Sequence, residues 1–204
     1  MTRQKKKIVI FVSLLVAACL LLAAIPLMLP LFEETPTRRP INFADPGLSD
    51  YPELDRDYMS LNRTIYYVKK GTTTIKTEMT EETYGQYSVA VRHIVKMVEA
   101  AMAGDSTAYN ALFSPEFIAA SGSYSAFTKQ KLYDISIIEH SVSAPVPEGY
   151  SKVYLYGLAY KIKDNNGSLR KDVGSDAELE QYLTIVEDAD GNVFVHGINV
   201  VLSA

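Results

Sequence analysis

The chain has 204 residues, 48% hydrophobic and 22% charged, with a formal net charge of −4 and one cysteine, a length that suits one folded domain with an accessory segment. The single cysteine excludes an internal disulfide framework and any zinc site built on several thiolates. Arg3, Lys5, Lys6 and Lys7 precede a stretch without charge at residues 8–32, and the 172 residues beyond it carry 16 basic and 24 acidic side chains, a net of −8 that excludes nucleic acid as the main partner.

Residues 8–32 read IVIFVSLLVAACLLLAAIPLMLPLF, and Ser13 is their one hydroxyl. As a helix this stretch spans about 37 Å, more than the roughly 30 Å hydrocarbon core of a bilayer. Pro26 and Pro30 lie near its outer end, where a kink is tolerable. A cleaved signal peptide has a shorter apolar region, about 7–15 residues, followed by small residues. Here Ala17, Ala18, Ala23 and Ala24 lie inside the run. Basic residues before it and Glu33–Glu34 after it predict an uncleaved signal anchor: a cytoplasmic tail at 1–7, a membrane span at 8–32 and the remainder outside. The competing reading is a lipoprotein acylated at Cys19, since Leu15–Cys19 resembles a lipoprotein box. A polar tether normally follows such a cysteine, whereas this chain continues with 13 apolar residues.

Residues 33–61 contain Pro36, Pro40, Pro46 and Pro52 and predict a semi-extended stalk. Residues 62–79 follow as an extended lead-in or hairpin, with Thr64–Val68 and Thr72–Met79 rich in β-branched and aromatic residues around Lys69-Lys70-Gly71. The folded domain is expected over 80–204. Thr80 can cap a helix whose apolar stripe runs through Tyr84, Tyr87, Val91, Ile94, Val95, Val98 and Met102, ending at Gly104. Asp105 can cap a second helix reaching Leu112-Phe113, and Ser114-Pro115 opens a third. Beyond residue 121 the period changes to two. Leu132–Val142, Lys152–Lys163, Leu179–Asp188 and Asn192–Leu202 read as strands separated by turn residues. Helices followed by a meander of long strands predict an α+β fold, with the helices packed in a curved antiparallel sheet.

This order, with the turn Ala103-Gly104-Asp105 and the segment Leu112-Phe113-Ser114-Pro115-Glu116-Phe117, resembles the nuclear transport factor 2-like superfamily over about residues 80–202. The resemblance implies a cone-shaped domain with an internal pocket, and its members range from isomerase-like enzymes to assembly modules. The tail, span, stalk and single domain also resemble the bitopic assembly subunits of type IV secretion and conjugation machines.

An enzyme of this kind needs an acid or base inside the cone. By strand parity, His140 goes with Ile138 and Val142, and His196 with Phe194, Ile198 and Val200, so either histidine can face an apolar interior. A structural histidine bonded at the core edge is the competing reading. His93 lies one position off the helix stripe, at its boundary. Asp134 is the strand carboxylate nearest the helix end of the sheet. Tyr154, Tyr156 and Tyr160 share one face of a strand and can line a pocket, form an interface or simply pack. Asp188-Ala189-Asp190-Gly191-Asn192 has the wrong spacing for a calcium loop and reads as a hairpin turn. No phosphate-binding glycine loop, nucleophile elbow or metal motif is present, so no catalytic residue, cofactor or metal is assigned. The expected function is binding or assembly without catalysis, anchored in the bilayer through residues 8–32 and partnered by other envelope proteins or a second copy. The alternative is a small-molecule-binding or isomerase-like protein using the cone pocket.

Overall fold

The computed structural model describes residues 57–140 and 144–200. The expected cytoplasmic tail, membrane span, Cys19, most of the stalk, and the strand ends at Val142 and Leu202 lie outside the described residues. Among those described, no helix is long and apolar enough to cross a membrane.

The elements run β1 (Ile65–Lys69), β2 (Ile75–Glu78), α1 (Glu81–Tyr84), α2 (Val89–Ala103), α3 (Ser106–Asn110), α4 (Pro115–Ser121), β3 (Lys131–Glu139), β4 (Lys152–Lys163), β5 (Gln181–Glu187) and β6 (Val193–Asn199). The fold is α+β. One six-stranded sheet has the order β2-β1-β3-β4-β5-β6. Strands β3 to β6 form the expected antiparallel meander; β1 and β2, in the segment expected as an extended lead-in or hairpin ahead of the domain, pair as a hairpin that is part of the same sheet. The sheet as a whole is mixed rather than antiparallel, because β1 pairs with β3 in parallel, Ile65 beside Ile135 and Lys69 beside Glu139. The helical segment between them acts as the crossover that a parallel pair requires.

The single helix expected from Thr80 to Gly104 is two. Thr80 caps α1 in a reciprocal box with Thr83, and the chain turns at Gly85. Ser88 then starts α2, its Oγ accepting from Val91 N at 3.2 Å. The same hydroxyl lies 3.2 Å from Tyr156 Oη on the sheet, so one side chain both caps the helix and docks it. Losing the cap costs about 1 kcal/mol, and leaving the buried Tyr156 hydroxyl unpaired about 1 more. Ser88→Ala is therefore expected to lower stability by about 2 kcal/mol, read as a shifted urea midpoint; Ser88→Thr, which keeps the hydroxyl, should recover most of the loss.

Helix α2 buries Val91, Ile94, Val95, Val98 and Met102 against Ile135, Ile137, Leu158, Leu183, Ile185 and Val195 of the sheet. Each such side chain taken from water contributes roughly 1.5–3 kcal/mol. Tyr58, in the expected stalk, belongs to this core: it is fully buried and its hydroxyl donates to Leu132 O at 2.8 Å. A smaller cluster, Val68, Ile138 and Ala159, lies apart from this core. The segment 164–180 closes one end of the sheet. There Arg170, 5% exposed, forks onto Asp172 with Nε and Nη2 at 2.7 and 2.6 Å and lies over the Tyr160 ring.

Candidate functional site

Period-two alternation along β4 places Tyr154, Tyr156 and Tyr160 on the α2 side with Leu158 and Ile162. Their hydroxyls are committed. Tyr154 Oη donates to Glu187 Oε2 at 2.8 Å, Tyr156 Oη meets Ser88, and Tyr160 Oη donates to Gln181 Oε1 at 3.1 Å. Burial, with the Glu187 hydrogen bond, pushes the Tyr154 phenol up to about 12. Burial raises Tyr156 and Tyr160 too, so all three stay protonated at neutral pH.

His140, just past the end of β3, packs over the backbone of Gly157, a residue of β4 whose neighbours Tyr156 and Leu158 face the core. Its Nε2 lies 2.9 Å from Glu180 Oε1, and Lys70 Nζ is 3.9 Å from the other carboxylate oxygen. A Cβ on Gly157 would sit 1.9 Å from Glu180 Oε1 and 2.9 Å from His140 Nε2, so the missing side chain makes the space that the pair fills. A groove of about 270 Å³ opens beside it, with Leu155, Tyr182, Thr184 and Asn199 on its walls. The Tyr182 ring is 5.1 Å from the imidazole.

His196 sits where the register of β6 against β5 slips, between Val195 opposite Ile185 and Gly197 opposite Thr184. An extra residue of this kind loses the parity of its neighbours. Its Nδ1 lies 2.9 Å from Ser114 Oγ, the N-cap of α4, and its ring packs on Tyr150. Asp134 sits at the corresponding slip in β3 with φ of 51°, and accepts from Lys161 Nζ at 2.9 Å. Among the described residues, the three candidate acid–base residues thus lie at separate places on the sheet, and only His140 lines one of the grooves described here. Among the described residues, no group of three or more His, Cys, Asp or Glu is placed to hold a metal ion.

Two features were missed by sequence reasoning. Glu180 and Glu187 end up as the partners of His140 and Tyr154, which only strand register brings about. The second is a groove of about 520 Å³ between α2 and the β5–β6 turn, walled by Tyr84, Arg92, His93, Lys96, Leu112 and Phe194. The i, i+4 spacing of Arg92 and Lys96 was a visible signal for it. His93 is half-buried, as its place at the stripe's boundary implies. Its Nε2 donates to Leu112 O at 2.9 Å and burial lowers its pKa, so the ring is neutral with Nδ1 as acceptor.

No protein-family model, curated protein or solved structure matches the chain.

Proposed function

We propose that the chain is a single-pass membrane protein whose folded part stands outside the cytoplasm, as a nuclear transport factor 2-like module that binds or assembles with envelope proteins or with a second copy, without catalysis of its own. The charge asymmetry around residues 8–32 supports the anchor and its orientation. The observation that carries the assembly role is the commitment of Tyr154, Tyr156, Tyr160, His196 and Asp134 to partners within the fold. These groups hold strands and helices together, and of them only Tyr156 lines a groove described here, the one beside His140.

Apolar side chains do remain on the outside. Ile75 is 57% exposed on the edge strand β2, and Val146 is 48% exposed before β4. Photoreactive residues at these two positions, in the full chain in its native membrane, should each trap a discrete adduct. Absence of any adduct from both positions would overturn the assembly role. The second reading, a small-molecule-binding or isomerase-like protein, draws on the His140–Glu180 pair beside its groove. His140→Ala should leave adduct formation unchanged if assembly is the function.

A further inference from the structure

Arg92 and Lys96, one turn apart on α2, line the groove between α2 and the β5–β6 turn. Its walls carry Arg92, His93 and Lys96 and no acidic side chain, although acid outnumbers base 24 to 16 beyond residue 32. Arg92 is held in place: its Nη1 donates to Gly85 O at 3.1 Å and to Tyr87 O at 2.6 Å, carbonyls exposed by the break between α1 and α2. Among the described residues neither Arg92 nor Lys96 is in an ion pair. Two cations one turn apart repel each other, at roughly 0.2–0.5 kcal/mol on an exposed helix. An anion between them removes that penalty, and a concave wall of one sign focuses the field that draws it in.

The rest of the wall narrows the ligand. Glu99, one turn further on, lines the neighbouring hollow with Lys96; partial burial raises its carboxyl pKa and the Lys96 charge opposes that rise. Neutral His93 offers an acceptor at Nδ1. Tyr84, Val89, Leu112 and Phe194 supply apolar and aromatic surface next to the cations. A bare inorganic ion would leave that surface unused.

We propose that this groove binds an organic anion, a phosphate or carboxylate group carried on an apolar body, with Arg92 and Lys96 on the charge and Tyr84 and Phe194 on the body. The source is either a free small molecule or the headgroup of an acidic phospholipid, which share this chemistry. The site goes beyond the assembly role and does not depend on it.

The test is a calorimetric titration of phenyl phosphate into the full chain in phosphatidylcholine nanodiscs, with benzyl alcohol as the uncharged counterpart. Saturable binding of phenyl phosphate, at least ten-fold tighter than benzyl alcohol, is expected. Lys96→Glu should weaken it at least ten-fold and Lys96→Gln several-fold, with circular dichroism unchanged in both. Repeating the titration in phosphatidylglycerol nanodiscs separates the sources. Binding lost there supports the site with a lipid headgroup as its occupant, and binding kept there supports it with a free anion. Absence of saturable binding in phosphatidylcholine, or equal binding by both Lys96 variants, overturns the site.

Discussion

Gly104→Ala is expected to destabilise the domain by about 3 kcal/mol or more, through backbone strain and a close approach acting together. Gly104 ends α2 in the left-handed region at φ 68°, its N–H turned back onto Ala100 O and Ala101 O. A left-handed alanine costs about 1–2 kcal/mol. The added Cβ would also lie 2.7 Å from Lys129 N and 3.0 Å from Thr128 C. Those are backbone atoms of the segment entering β3, fastened there by Gln130 N donating to Ala101 O at 3.2 Å. Forcing that approach apart adds about 1–3 kcal/mol. Gly167 is the control, with φ of 71° and only Lys171 Cγ within 4 Å, at 3.9 Å. Gly167→Ala should show the conformational part alone, about 1–2 kcal/mol. Equal urea midpoints for the two variants would mean that the close approach at Gly104 carries no energy.

Asp172→Ala comes next, at about 2–3 kcal/mol. Removing one partner of a buried ion pair typically costs about 3–5 kcal/mol, because the other charge stays buried and uncompensated. The lower figure applies here because Asp172 is 41% exposed at its side chain, while Arg170 is only 5% exposed. Replacing both partners, as Arg170→Met with Asp172→Ala, should be less harmful than Asp172→Ala alone. Burial pulls the Arg170 pKa down, but the Asp172 hydrogen bonds and the neighbouring Tyr160 outweigh it, so the guanidinium stays charged throughout. Those hydrogen bonds hold the Asp172 carboxyl below its ordinary 3.8. A depressed folded pKa contributes stability that is present above the unfolded value and is lost as pH falls through the folded one. The pair therefore weakens below pH 3.8, and the gap between wild type and Asp172→Ala should be wide at pH 7 and narrow toward pH 2. A gap independent of pH in urea titrations would remove the pair from the stability of this end of the sheet.

Strand β4 was legible to its ends, Lys152–Lys163, because turn residues bound it and both its faces are apolar. Strands β3, β5 and β6 were legible to within a few residues for the same reasons. The break between α1 and α2 was hidden because Tyr84 and Tyr87 carry the three- and four-residue spacing straight across it. Only Gly85 and Ser88 mark it, and a glycine in a right-handed helical conformation gives no signal of its own. The parallel pairing of β1 with β3 has no counterpart in periodicity, which describes one segment at a time.

The histidines show where parity arguments lose force. Parity pairs His140 with Ile138, but Ile138 packs with Val68 and Ala159 apart from the main core, so its apolar character says nothing of the interior. His196 falls on a register slip, where one inserted residue reverses the faces. The groove beside α2 joins residues of four regions, Tyr84, the helix itself, Leu112 and Gly191–Phe194, and only the helical pair of cations could be seen in advance.

The parallel pairing of β1 with β3 also sets an order of events in time. Ile65 and Ile135 are 70 positions apart, so β1 has no partner beyond its own hairpin until every helix and β3 have been made and delivered. Contacts this distant in sequence slow the search for the native state. A chain emerging N-terminus first exposes Ile65, Tyr67 and Val68 during that interval, an apolar strand with an open edge. The vulnerable period of this domain's biogenesis is thus at its beginning, and a factor that shields nascent chains would act most usefully on residues 65–69.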